Sequence, residues 1–115
     1  MPVPLDPEDQ KIVTLARSSR ARTGAAEGAA VRDTDGRTYA ASSVDLPSLT
    51  LTALQAAVAA AVSSGAEGLE AAAVVTDART VDGPSLQAVR DVAPAAPVLR
   101  ADTSGAVLET LEPVS

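Results

Sequence analysis

The chain has 115 residues, a formal net charge of −6 and neither cysteine nor histidine. A chain of this length forms about one domain and buries roughly two-thirds of its unfolded surface. The excess of acid excludes the basic, counterion-releasing surface on which nucleic-acid binding rests, and disulfides are excluded outright. Hydrophobic residues make up 46%, carried by Ala, Val and Leu, with Tyr39 the sole aromatic and Met1 the sole methionine, so close approach of small side chains has to supply much of the packing.

Met1 to Asp6 has neither the basic start nor the apolar run of a signal peptide, which leads us to expect a cytoplasmic protein with a flexible segment over residues 1–6. Asp6-Pro7-Glu8-Asp9 is a helix start, with a capping carboxylate, proline at the first helical position and acids at the positive end of the dipole. Ile12, Leu15, Ala16 and Ser19 share one face, and the helix is expected to fade near Arg20. The basic cluster Arg17, Arg20, Arg22 reads either as a solvated helix end suited to its dipole or as an anion or partner contact.

Glu27 to Val31 and Arg37 to Val44 flank Asp33-Thr34-Asp35-Gly36, a hairpin signal in which glycine tolerates the positive φ of the turn. Pro47-Ser48 is expected to open a helix from Ser48 to Ser64, with Leu51, Leu54, Val58, Ala61 and Val62 at helical spacing before the Ser63-Ser64-Gly65 stop. No charge occurs between Asp45 and Glu67. That stretch is too weakly apolar for the ~20 strongly hydrophobic residues of a membrane span, so its uncharged helix is expected to be buried on most sides, partly in a subunit interface.

Ala71 to Thr76 reads as a central parallel strand, and Asp82-Gly83-Pro84-Ser85 as a helix start with Leu86, Val89 and Val92 inward up to Pro94. Pro97 to Ala101 is a strand, Asp102-Thr103-Ser104-Gly105 a turn and Ala106 to Leu111 a last strand. Alternating strands and helices predict an α/β fold of one domain, a three-layer α/β/α sandwich around a mixed five-stranded sheet.

Glu27-Gly28-Ala29-Ala30, Asp35-Gly36 and Ser43-Val44-Asp45 are similar, at matching spacing, to the V-G-A-A, D-G and N-V-E landmarks of the cytidine deaminase family. Thr52-Ala53-Leu54-Gln55-Ala56-Ala57 through Ala61-Val62 to Gly65 resembles its C-A-E-R-A-A helix ending in A-V-x-x-G. Asp82-Gly83-Pro84-Ser85-Leu86-Gln87 stands where P-C-x-x-C-R-Q would be, and about two residues are missing between Asp45 and Thr52. The resemblance implies a zinc ion held by three Cys or Cys/His ligands, which lowers the pKa of a bound water, and a glutamate that moves protons. The ligand positions match Thr52, Asp82 and Ser85, the glutamate position matches Leu54 and the aromatic stacking position matches Ala25. It also implies sugar contacts at Ser43 and Asp45, whose alternative reading is the end of a strand capping the next turn. Asp82 and Ser85 have a similar alternative as caps of the following helix.

Other chemistries find little support. Without histidine a serine nucleophile needs lysine or a carboxylate as its base, and Lys11 lies in the exposed-looking first helix. Asp33, Asp35 and Asp45 do not have the spacing of a calcium loop, and Gly24 to Gly28 precedes a strand where a phosphate loop would follow one. The expectation from sequence is therefore a protein that is not an enzyme, holds no cofactor or metal, and acts as a homo-oligomeric scaffold or interaction module. A dimer or tetramer through the helix Ser48–Ser64 is expected, and a nucleoside or nucleotide sensor that keeps a ribose pocket is the alternative.

Overall fold

The structure is a computed structural model and describes residues 5–112. Helix α1 (Pro7–Thr23) starts as expected: the Asp6 carboxylate accepts from the Glu8 N–H at 2.8 Å, and Glu8 and Asp9 occupy the first turn. It runs three residues beyond Arg20, because nothing breaks it until Gly24 closes it in the left-handed conformation at φ 67°. Of the segment expected to be flexible, residues 1–4 lie outside the described residues, whereas Leu5 packs against the core cluster that includes Ile12 and Val13, and Asp6 caps α1.

The remaining elements are β1 (Gly28–Asp33), β2 (Thr38–Ser42), β3 (Val44–Leu46), β4 (Leu49–Leu51), α2 (Ala53–Ser63), β5 (Leu69–Val75), α3 (Gly83–Val92), β6 (Val98–Ala101) and β7 (Val107–Leu111). Five strands form one mixed sheet in the order β2-β1-β5-β6-β7, in which only β5 and β6 run parallel. The α/β fold expected from the alternation of elements is present, with α1 on one face and α2 and α3 on the other.

Strand alternation divides the core between those faces. Ala29, Val31, Ala72 and Val74 pack against Leu54, Ala57, Val58 and Val89, while Ala30, Ala71, Ala73 and Val75 pack beneath Ile12, Val13 and Ala16. Because the sheet side chains under α1 are mainly alanines, the helix lies very close to the strands. At Gly28 the approach is tightest: a Cβ there would overlap the Ala16 carbonyl oxygen and lie 2.8 Å from the Arg20 nitrogen.

The β1–β2 turn is organised by Asp33, which is buried. Its Oδ1 accepts from the Asp35 and Arg37 N–H groups at 2.9 Å each, and its Oδ2 accepts from the Tyr39 hydroxyl at 2.9 Å. Burial alone would raise this carboxyl's pKa; the Tyr39 hydroxyl and the two backbone donors overcome that and hold it below the usual carboxylate range. Asp33 is thus occupied by turn formation.

One sequence expectation is corrected here. Pro47 and Ser48 do not open a helix; they form the turn of a two-stranded sheet in which Leu46 pairs with Leu49 and Val44 with Leu51. Helix α2 begins only at Ala53 and ends at Ser63, so the expected helix Ser48–Ser64 is about one turn too long at its start. Leu51 belongs to β4, and Val62, expected inward, is half-exposed. Among the described residues no helix is long and apolar enough to cross a membrane.

Since α1 and β1 meet backbone to backbone, Gly28→Ala is expected to destabilise the fold by about 1–3 kcal/mol through overpacking. Urea unfolding would show a lower midpoint with an unchanged slope.

Candidate functional site

The register of the sheet brings several separate chain segments to one end. Gly28 pairs with Ser42 on one side and with Val75 on the other, so Glu27, Ser43 and Thr76 meet at the carboxyl end of β5. Crevices at the carboxyl ends of strands are where α/β sheets bind ligands. Here the last turn of α1 contributes Arg20, the β4–α2 junction contributes Thr50, Leu51 and Thr52, and the loop after β5 contributes Asp77 and Ala78. They enclose an open cleft of about 460 Å³, within the usual range for small-molecule sites.

Its polar groups are fixed by local bonds. The Ser43 Oγ accepts from the Glu27 N–H at 3.3 Å, and the Ser43 N–H donates to the Glu27 carbonyl at 3.0 Å, which ties the ends of β1 and β2 together. Arg20 donates from Nε to the Ala26 carbonyl at 3.2 Å, and its guanidinium lies 3.9 Å from the Asp77 carboxylate. The Thr76 Oγ1 accepts from the Ala78 N–H at 3.0 Å, shaping the loop above the cleft.

Thr52 is the N-cap of α2. Its Oγ1 accepts from the Gln55 N–H at 3.1 Å, while the Gln55 Oε1 accepts from the Thr52 N–H at 2.9 Å, a complete capping box. Ser85, in the first turn of α3 and only 2% exposed, donates its hydroxyl to Thr52 Oγ1 at 2.7 Å. Two of the three positions that the resemblance places on zinc thus touch each other directly. Asp82 stands at the N-cap of α3 but makes no capping bond with its side chain, and Ser85 spends its hydroxyl on Thr52, so neither fills the capping role open to it in the sequence. Leu54 is fully buried in the core between α2 and the sheet. Of the two residues at the sugar positions, Ser43 lines the cleft; Asp45 is exposed on β3 and is not part of the lining.

The zinc ion implied by the resemblance does not fit these donors. Thr52 Oγ1 already accepts two hydrogen bonds, neutral hydroxyls are poor zinc ligands, and Asp82 is a lone carboxylate. Among the described residues no three Cys, His, Asp or Glu side chains converge.

Two kinds of site residue escape a reading of the sequence. Thr52-Ala53-Leu54-Gln55 is a capping-box pattern, legible in principle, but Pro47-Ser48 offers an earlier helix start that displaces it. Thr76 and Asp77 belong to no motif, Arg20 and Glu27 stand out in the sequence only as part of a basic cluster and of a landmark, and the fold alone unites the four. From the donor set we expect equilibrium dialysis against micromolar zinc to leave no stoichiometric metal on the protein. The melting temperature should be the same with zinc and with EDTA, since only a ligand of the folded state raises it.

The sequence of residues 5–105 matches the family model described as cytidine deaminase-like. No curated protein matches the sequence. Among solved structures, a cytidine deaminase from Burkholderia pseudomallei is 21% identical, with 89% of this chain and 90% of that chain covered and a TM-score of 0.77. One from Mycobacterium leprae is also 21% identical, covering 91% and 94% at a TM-score of 0.71. A point mutant of the Mycobacterium tuberculosis enzyme is 26% identical, covering 83% and 85% at 0.68. These findings correct the expectation that the chain is not an enzyme: the structures that share its fold are enzymes, and the family match extends over nearly all of it. The poor zinc donors concern one metal chemistry and do not measure activity as a whole. On the match over residues 5–105, the chain belongs to the cytidine deaminase-like family.

Proposed function

We propose that the chain binds a pyrimidine nucleoside such as cytidine in the cleft at the carboxyl end of β5. The observation that carries this reading is the opening itself: about 460 Å³ bordered by Ser43, Thr52 and Thr76, at the sheet end where α/β folds take their ligands. The name of the structural relatives supplies the ligand class, since all three are cytidine deaminases. Charge narrows it further. Among the described residues Arg20 is the only cation in the lining, and it lies 3.9 Å from the Asp77 carboxylate with Glu27 adding a second acid to the lining, so an uncharged nucleoside suits the cleft better than a phosphorylated one.

Titration with cytidine should raise the melting temperature, with a stabilisation of about 2.7 kcal/mol at a hundredfold excess over Kd. Ser43→Ala, which removes a hydroxyl from the lining, should weaken binding about two- to tenfold, the worth of one hydrogen bond. No thermal shift at millimolar cytidine or uridine would sink the reading.

A second reading, self-association into a dimer or tetramer with a scaffold role, is favoured by exposed apolar side chains on the β3–β4 hairpin and on α2. Leu46 and Leu49 are cross-strand partners with 56% and 49% of their surfaces exposed, and Val62 on α2 is 50% exposed. Light scattering at micromolar concentration should then give a mass above that of the monomer, and the double substitution Leu46→Ser with Leu49→Ser should lower it to the monomer value.

A further inference from the structure

Asp-Gly occurs twice in the sequence, at Asp35-Gly36 and at Asp82-Gly83, and there is no asparagine. A glycine after an aspartate leaves its peptide nitrogen unshielded by any Cβ, so that nitrogen can reach the aspartyl Cγ and close a five-membered imide. All four residues are exposed, so access does not separate the two pairs. Hydrogen bonding does.

At Asp35-Gly36 the nitrogen is occupied. The Gly36 N–H donates to the Asp33 carbonyl at 3.0 Å, and the N–H groups of Asp35 and Arg37 on either side donate to Asp33 Oδ1 at 2.9 Å each. Asp33 is buried, donates its own N–H to the Arg37 carbonyl at 2.8 Å and accepts from the Tyr39 hydroxyl. Swinging the Gly36 nitrogen onto the Asp35 carboxyl would take this turn apart.

Asp82-Gly83 has no such restraint. Gly83 is the first residue of α3, where N–H groups lack an intrahelical partner, and among the described residues its N–H has no acceptor. The Asp82 side chain makes no capping bond, and Pro84 has no N–H to hold the turn. A Cβ built on Gly83 would meet nothing within 4 Å, so the peptide has room to rotate. Rotation breaks one hydrogen bond, from the Leu86 N–H to the Asp82 carbonyl at 3.1 Å.

We infer that Asp82-Gly83 is a site of spontaneous isoaspartate formation, while the buried Asp33 protects Asp35-Gly36 from the same reaction. The Gly83 nitrogen attacks Asp82 Cγ, and the N–H proton leaves with the carboxyl oxygen as water, with a solvent proton where the acid is ionised. Water then adds to one of the two imide carbonyls. Opening at Cγ restores aspartate. Opening at the original main-chain carbonyl breaks its bond to the Gly83 nitrogen, frees it as a carboxylate and routes the chain through Cβ and Cγ. The main chain is then longer by one carbon just ahead of Ser85, whose hydroxyl joins α3 to Thr52 at the start of α2.

The full chain, held folded for several weeks at neutral pH in heavy-oxygen water, records each imide opening as one added heavy oxygen. Digestion with trypsin in ordinary water separates the two pairs, on residues 33–37 and residues 80–90. Label on 80–90 should exceed that on 33–37 about five- to thirtyfold, the worth of one or two hydrogen bonds, and fragment masses should place isoaspartate at Asp82. In guanidinium chloride, where turn and helix are both lost, the two peptides should label alike. Asp82→Glu, which would have to close a less accessible six-membered ring, should remove the label from 80–90 and leave the circular dichroism unchanged. An unlabelled Asp82 in the folded chain overturns the inference. So does equal labelling of the two pairs, or an excess at Asp82 that persists in guanidinium chloride and so belongs to the neighbouring sequence. If Asp82→Glu misfolds, the comparison of folded with unfolded wild type decides.

Discussion

The contact on which the cleft depends is the backbone approach of α1 to β1 at Gly28. With no Cβ in the way, the Ala16 carbonyl and the Arg20 nitrogen come down onto the first residue of the strand. The last turn of α1 is thereby carried to the end of the sheet, where the Arg20 guanidinium reaches the Ala26 carbonyl and faces Asp77 across the opening. A side chain at position 28 would lift that turn and separate the cleft wall from its floor. The same economy of volume extends along the sheet, where Ala30, Ala71 and Ala73 lie beneath Ile12, Val13 and Ala16. A core built this way has few large side chains to adjust, so small additions of volume are felt by the backbone.

On the opposite face the corresponding contact is polar. The hydroxyls of Thr52 and Ser85 join the beginnings of α2 and α3, and the capping box carries the connection into the α2 backbone. Every polar side-chain atom buried among the described residues has a partner. Helix starts present unpaired N–H groups that must be satisfied, and here one side-chain oxygen serves a helix start and a neighbouring helix together. Thr52 also belongs to the lining of the cleft, so the residue that meets this folding requirement is one that shapes the opening.

Much of the fold was legible because its signals are local and unopposed. Asp6-Pro7 opened α1, Asp35-Gly36 marked the β1–β2 hairpin, and the apolar run Ala71 to Thr76 marked the central strand, which the structure places at Leu69–Val75. The β3–β4 hairpin was hidden because Leu51, Leu54 and Val58 fit a helical period that in fact spans two elements. Proline before serine is compatible with a helix start and with a turn, and the choice fell to the pairing of Leu46 with Leu49, a tertiary event. The site was legible only in part. Ser43, Thr52 and Ser85 were singled out by the resemblance to the family's landmarks, but Asp45 lies outside the cleft since β3 turns away from the main sheet after Ser43. Arg20 and Glu27 come from the end of α1 and the connection after it and Asp77 from the loop after β5, about fifty residues later in the sequence, so no spacing rule could have gathered them.

The composition that makes the close packing possible also limits how the cleft can recognise anything. Tyr39, the sole aromatic residue in the sequence, is committed to Asp33 at the far end of the β1–β2 hairpin, and the lining of the cleft contains none. A base in this cleft therefore has no ring to stack upon, and loses a contribution that aromatic sites supply without regard to sequence or substituent. The apolar part of the lining is Leu51, Ala26 and Ala78, aliphatic surface without directional groups. The directional groups of the lining are the carboxylates of Glu27 and Asp77, the Arg20 guanidinium and the hydroxyls of Ser43, Thr50, Thr52 and Thr76. A site of this kind gains its selectivity from which hydrogen bonds are already taken by the protein itself, because each internal bond removes one way for a ligand to be satisfied.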